Sequence, residues 1–208
     1  MFMKIRILAI VAALLAGAGL SRANIITNTI ADDGDGVITC NVYGFTTNGP
    51  GDYSLSIDGI QHNLGNPWEP GHILGDIITD TEADPKLTLF NEIDNDTGYA
   101  WGDYHVQVTM NKTFAFTNVG VGNGGWTFIT TVPVMSGTNW IGYIDYAGYS
   151  TPVLALGTLD FNYSMIFAGS VSFCEQLTPS PVPEPGTFAL MVCGLTGLFV
   201  MRRRFNCG

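Results

Sequence analysis

Basic residues are scarce in this chain. It has 8 lysines and arginines against 18 aspartates and glutamates, a formal net charge of −10. The deficit is uneven: Lys86 and Lys112 are the only basic residues between Arg22 and Arg202, and every acidic residue lies in that interval, from Asp32 to Glu184. A surface so poor in cations cannot neutralise a phosphate backbone, so nucleic acid is excluded as a partner. The same surface keeps a domain soluble, and it suits a cation-rich matrix or a neutral polysaccharide. Metal-ligating chemistry is thin as well. Of the three histidines, His62 and His72 are too far apart for one helical face, His105 falls on the wet side of a strand, and no cysteine pair joins them into a zinc site. There is no Gly-x-Ser-x-Gly elbow, and Ser136 before Gly137 lacks that frame. Glu69, Glu82 and Glu92 are the carboxylates that glycosidase chemistry could draw on, but it needs two at a set separation, and the sequence sets none. No enzymatic activity is expected.

Helical periodicity is missing between Asn24 and Pro179; alternation replaces it. Val106, Val108 and Met110 alternate with His105, Gln107 and Thr109, and Leu159, Phe161, Tyr163 and Met165 alternate with Asp160, Asn162 and Ser164. Phe114 and Phe116, Trp126 to Val132, and Val171 and Phe173 continue the pattern. Period two means one buried and one wet face. Turn formers punctuate these runs at Asn48-Gly49-Pro50, Asp58-Gly59, Asn95-Asp96-Thr97-Gly98 and Gly122-Asn123-Gly124-Gly125. Residues 24–178, about 155 of them, suffice for one core. The expected fold is all-β, an antiparallel sandwich of jelly-roll type.

The two ends read differently. Lys4 and Arg6, an apolar run from Ile7 to Ala16, and small residues Ser21 and Ala23 make residues 1–23 a secretory signal, cleaved between Ala23 and Asn24. Gly17, Ala18 and Gly19 prolong the apolar stretch, so an uncleaved anchor is the alternative. At the other end, residues 179–185 form a proline-rich hinge. Pro181, Pro183 and Pro185 lack N–H groups and hold the chain extended. Residues 186–201 are uncharged and as a helix would span ~24 Å, somewhat short of a ~30 Å hydrocarbon core. Local thinning and snorkelling arginines would close that gap. Arg202, Arg203 and Arg204 then form a cytoplasmic stop within the tail 202–208. The alternative for the apolar run is a buried core helix.

This ending resembles the PEP-CTERM sorting signal: Val182-Pro183-Glu184-Pro185, a short transmembrane helix, then a basic cluster. The resemblance covers the final 25 or so residues, three elements in fixed order. Asn206, Cys207 and Gly208 extend beyond the family's pattern. The stretch from Asp84 through Trp101 and Tyr104 to Phe116 is also similar to a segment of surface proteins with this tail. The resemblance implies an exported protein of a Gram-negative bacterium, processed by a membrane-bound exosortase near the motif. It would pass through the inner membrane to the outer surface or to an exopolysaccharide matrix. Its role would be non-enzymatic, structural or adhesive, with a carbohydrate-binding module as the alternative and a secreted hydrolase behind it. In such a chain the glycosylation sequons at Asn95, Asn111 and Asn162 are coincidental.

Within the exported segment, Trp68, Trp140 and Tyr143 are the candidates for stacking on sugar rings. Core packing competes, because alternation puts Trp140 and Tyr143 on opposite sides of one strand. Asp32-Asp33-Gly34-Asp35-Gly36 and Asp94-Asn95-Asp96-Thr97-Gly98 offer oxygens of the kind calcium takes, but neither completes an EF-hand loop. Turns capped by their own side chains are the preferred reading, and no cofactor is expected. Cys40 and Cys174 are the segment's only cysteines. In an oxidising compartment they could staple an early strand to the last one; two buried free thiols are the alternative.

Overall fold

A computed structural model describes residues 22–66 and 68–182. Most of the expected signal segment lies outside the described residues, as do Pro183, Glu184 and Pro185, the apolar run, Arg202 to Arg204, Cys193 and Cys207. Among the described residues there is no helix long and apolar enough to cross a membrane.

The strands are β1 (Ile25–Asp32), β2 (Ile38–Gly49), β3 (Asp52–His62), β4 (Gly71–Thr79), β5 (Lys86–Asp96), β6 (Trp101–Met110), β7 (Phe114–Val121), β8 (Thr127–Thr130), β9 (Val134–Ser136), β10 (Asn139–Ala147), β11 (Thr158–Phe167) and β12 (Val171–Pro181). They form two sheets, one of seven strands ordered β1-β4-β12-β6-β10-β8 with β9 also on β10, the other of five ordered β2-β3-β5-β11-β7. The fold is all-β, and every pair is antiparallel except β3 with β5. The departure has a topological cause. Between β3 and β5 the chain crosses to the other sheet as β4, so it returns beside β3 running the same way.

The alternating positions bury as the pattern requires. Tyr104, Val106, Val108 and Met110 from β6 face inward with Ile144 and Tyr146 from β10. Leu159, Phe161, Tyr163 and Met165 of β11 meet them from the five-stranded sheet. Aromatic rings carry the contact between sheets: Tyr104 and Tyr146 lie 5.8 and 5.0 Å from Phe161, both tilted, and Trp101 extends the row 5.2 Å from Tyr104. At Gly75 the inner face of β4 leaves no room for a side chain, because a Cβ there would run into the ring of Phe173.

Three local expectations are corrected. Asp58-Gly59 is no turn but the middle of β3; Gly59 lies where a Cβ would come within 2.8 Å of Ile93, so the glycine serves packing. The alternation from Trp126 to Val132 does not bury one face: Trp126 is buried in a loop, all four residues of β8 are exposed, and Val132 is 84% exposed. β8 is a short edge strand that, among the described strands, pairs with β10 alone. The paired domain also runs past residue 178 into the expected hinge. Thr178, Pro179, Ser180 and Pro181 pair with β6, and the Val182 N–H donates to the Ala100 carbonyl at 2.7 Å. β4 ends opposite Leu177, so beyond it β12 has a neighbour on one side only, and a proline without an N–H is accommodated there.

Candidate binding face

The outer surface of the five-stranded sheet is built by cross-strand registration. Asn41 on β2 pairs with Asp58 on β3, Asp58 with Glu92 on β5, and Glu92 with Asp160 on β11. Strand parity turns all four outward, so three carboxylates stand side by side in one row. The adjacent row reads Tyr43, Ser56, Phe90, Asn162, in the same strand order. Tyr43 and Phe90 are each 49% exposed. Between the rows runs an open groove of about 200 Å³ lined by Tyr43, Phe90, Glu92, Asp160 and Asn162 among others. A second groove, bordered by Thr39, Asn41, Asp58, Ile60 and Asp94, continues it along β2 and β3.

Electrostatics follow from the registration. The Glu92 carboxyl is held above its ordinary range, first by desolvation and then by the charges of Asp160, Asp58 and Asp94. Neither lysine of the domain relieves it, because both pair elsewhere, Lys86 with Asp52 at 3.0 Å and Lys112 with Glu82 at 2.8 Å. Half-exposed rings beside carboxylate and amide oxygens can receive the apolar face of a sugar and accept hydrogen bonds from its hydroxyls.

The residues singled out from the sequence do not gather here. Trp68 is 57% exposed in the loop between β3 and β4. Trp140 packs against the core, while Tyr143 is exposed on the opposite side of β10. Glu69 and Glu82 lie in loops away from Glu92, Glu82 being held by Lys112. Tyr43 and Phe90 escaped the sequence reading, although alternation along Leu87-Thr88-Leu89-Phe90-Asn91-Glu92 would have set Phe90 on the wet side with Glu92.

The first acidic cluster forms a turn, whereas Asp94, Asn95 and Asp96 of the second end strand β5. Asp32, Asp33 and Asp35 accept from the N–H groups of Gly34, Asp35 and Val37, at 3.1, 3.2 and 2.8 Å. Asp33 and Asp35 come together with His72 within 4.8 Å, the one such grouping of metal-ligating atoms among the described residues; His72 and Asp33 are 3.2 Å apart. His62 pairs instead with Asp96 at 3.0 Å, and His105 with Asp145 at 2.7 Å. In the second cluster Asn95 is fully buried and committed to hydrogen bonds with Thr97, Tyr99, Val153 and Leu154, which also removes it as a glycosylation acceptor.

Cys40 and Cys174 are free thiols. Cys40 packs against the core from β2, whereas Cys174 alternates with inward-facing Phe173 and Glu175 and so lies on the outer side of the other sheet. Burial pushes the Cys40 thiol up to about 11, with Asp32 adding to the rise. At the expected cleavage point, Ala23 is fully buried; the Asn24 N–H donates to Asp80 at 2.7 Å and its side-chain oxygen accepts from Tyr53 at 3.1 Å. No family model, curated protein or solved structure matches the chain.

Proposed function

We propose that this chain is an exported, non-enzymatic surface or matrix protein, sorted by its C-terminal signal through an exosortase-type enzyme and retained by exopolysaccharide. In this reading the domain is a jelly-roll-like sandwich between a signal helix and a transmembrane helix, and the outer face of its five-stranded sheet is the glycan-holding surface. One observation carries the binding role: the rings of Tyr43 and Phe90, both half-exposed, border a groove whose floor offers Glu92, Asp160 and Asn162. Half-exposed rings beside carboxylate and amide oxygens are planes on which a sugar can stack, which supports this reading. The placement of six of the eight lysines and arginines at the two ends supports the export topology.

The decisive measurement is calorimetric titration of the exported protein with neutral and acidic polysaccharides. Tyr43→Ala and Phe90→Ala should each weaken binding at least tenfold while leaving the circular dichroism spectrum unchanged. Equal binding by all three proteins would remove the sheet face from consideration. Polysaccharide turnover that Glu92→Gln abolishes would replace retention by hydrolysis. Sorting is tested separately: replacing Pro183, Glu184 and Pro185 with alanine should trap unprocessed protein in the inner membrane, and normal surface levels of that variant would end the sorting reading.

A further inference from the structure

The chain leaves the described fold at one end of the sandwich, and that end is the one with apolar loop tips. Val182 bonds to Ala100, and its side chain shares the surface of Gly102 with the ring of Tyr149. Asn95 joins the 97–100 turn to the loop carrying Leu154, and Asn63 of the β3–β4 loop donates to the Thr97 carbonyl at 3.1 Å. Three loops therefore meet around the exit. Their exposed large apolar residues are Leu64 (59%), Trp68 (57%), Tyr99 (40%), Tyr149 (64%), Leu154 (64%) and Leu156 (85%).

Leu156 adds a second observation. It is a non-glycine residue at φ +65°, fixed there by its N–H donating to the Asn95 carbonyl at 2.7 Å. A leucine held in the left-handed region costs roughly 1 kcal/mol or more. Here that cost gains no burial. Such strain points to a contact outside the fold.

We infer that this end docks on the lipid surface from which the chain is suspended, with Trp68, Tyr99, Tyr149 and the leucines in the headgroup layer. The inference rests on the reading of residues 186–201 as a membrane segment. That apolar run begins four residues after Val182. A linker this short, at most ~3.6 Å per residue, keeps the exit end within about 15 Å of the bilayer. Tyrosine and tryptophan are the residues that partition to that interface. The three loops carry no lysine or arginine, and Glu69 within the β3–β4 loop and Asp96 at the end of β5 add negative charge, so the surface they fit is zwitterionic rather than anionic. A second exposed apolar set, with Val132 and Met135, lies on the β8–β9 edge, near the opposite end of β10, away from the exit.

The test uses the full chain reconstituted into phosphatidylcholine vesicles whose acyl chains are brominated near the headgroup. Trp101, Trp126 and Trp140 are buried or packed on the core, so Trp68 supplies the accessible emission. Quenching should be strong in the parent, at least halved by Trp68→Phe, and reduced by the paired change Leu154→Ser and Leu156→Ser. Val132→Ser should leave it unchanged. Flotation of the same samples separates the two readings. A chain that floats while Trp68→Phe alters nothing overturns the docking alone, whereas a chain that does not float overturns the membrane segment and the docking with it. Shielding of Trp68 before lipid is added would place the chain's own apolar run over the patch and overturn the inference too.

Discussion

Glu175 of β12 and Tyr163 of β11 meet from opposite sheets in the fully buried interior. Among the described residues, neither carboxyl oxygen of Glu175 nor the Tyr163 hydroxyl has a hydrogen-bond partner. Burial raises the carboxyl to about 7, and the nearby tyrosine tempers that rise without reaching hydrogen-bond geometry. The carboxylate in turn pushes the hydroxyls of Tyr104, Tyr146 and Tyr163 further up, beyond the effect of their own burial.

A pH dependence of stability follows. Glu175 is protonated in the fold and ionised in the unfolded chain between pH 4.5 and about 7. The folded state thus binds the extra proton, so this group's contribution is fully present below pH 4.5 and is lost as pH rises through about 7. Glu175→Met should flatten that decline and stabilise the protein at pH 8 by about 1–3 kcal/mol. Thermal melts from pH 5 to pH 8 would check it; parallel curves for parent and variant would mean the carboxyl is paired.

Asn95 should be the most sensitive polar side chain near the exit end. Its amide donates to Tyr99, Val153 and Leu154 at 2.7, 3.2 and 3.1 Å, and its oxygen accepts from Thr97. Asn95→Ala removes these bonds and takes the acceptor from the buried Thr97 N–H, while the Val153 and Leu154 carbonyls keep the N–H groups of Trp101 and Gly157; the expected loss is about 2–3 kcal/mol by urea denaturation. A loss under about 1 kcal/mol would show that the loops hold without it.

The row of carboxylates is strained by its own charge. Glu92→Gln removes the middle member between Asp58 and Asp160. It should raise stability at pH 7 by a few tenths of a kcal/mol, a gain that fades in 1 M salt. The raised carboxyl makes the gain smaller as pH falls and Glu92 takes up a proton. Destabilisation in low salt would indicate that Glu92 is held by a partner not yet identified.

Much of the fold was legible. The runs in β6, β11 and β12 buried the side that alternation named, because a strand with one dry face must place apolar residues at every second position. Alternation failed at β8, where short edge pairing leaves nothing to cover either face. It also could not say that Asp58-Gly59 was strand, since a glycine needed for packing against Ile93 looks the same in sequence as one needed for a turn. The candidate site was legible only in parts. Phe90 and Glu92 share a side by counting, but their meeting with Tyr43, Asp58 and Asp160 depends on which strands are neighbours.

The sequence by itself determined an all-β domain, its inward and outward positions, and the gathering of most basic residues at the two ends of the chain. These are local quantities, fixed by residue type and a period of two. The tertiary structure decided the parallel β3–β5 pair, the aligned row of carboxylates beside two aromatic rings, the solitary Glu175 in the interior, and the cluster of apolar tips where the chain leaves. Each of these joins residues distant in the chain, and only the order and register of strands bring such residues together.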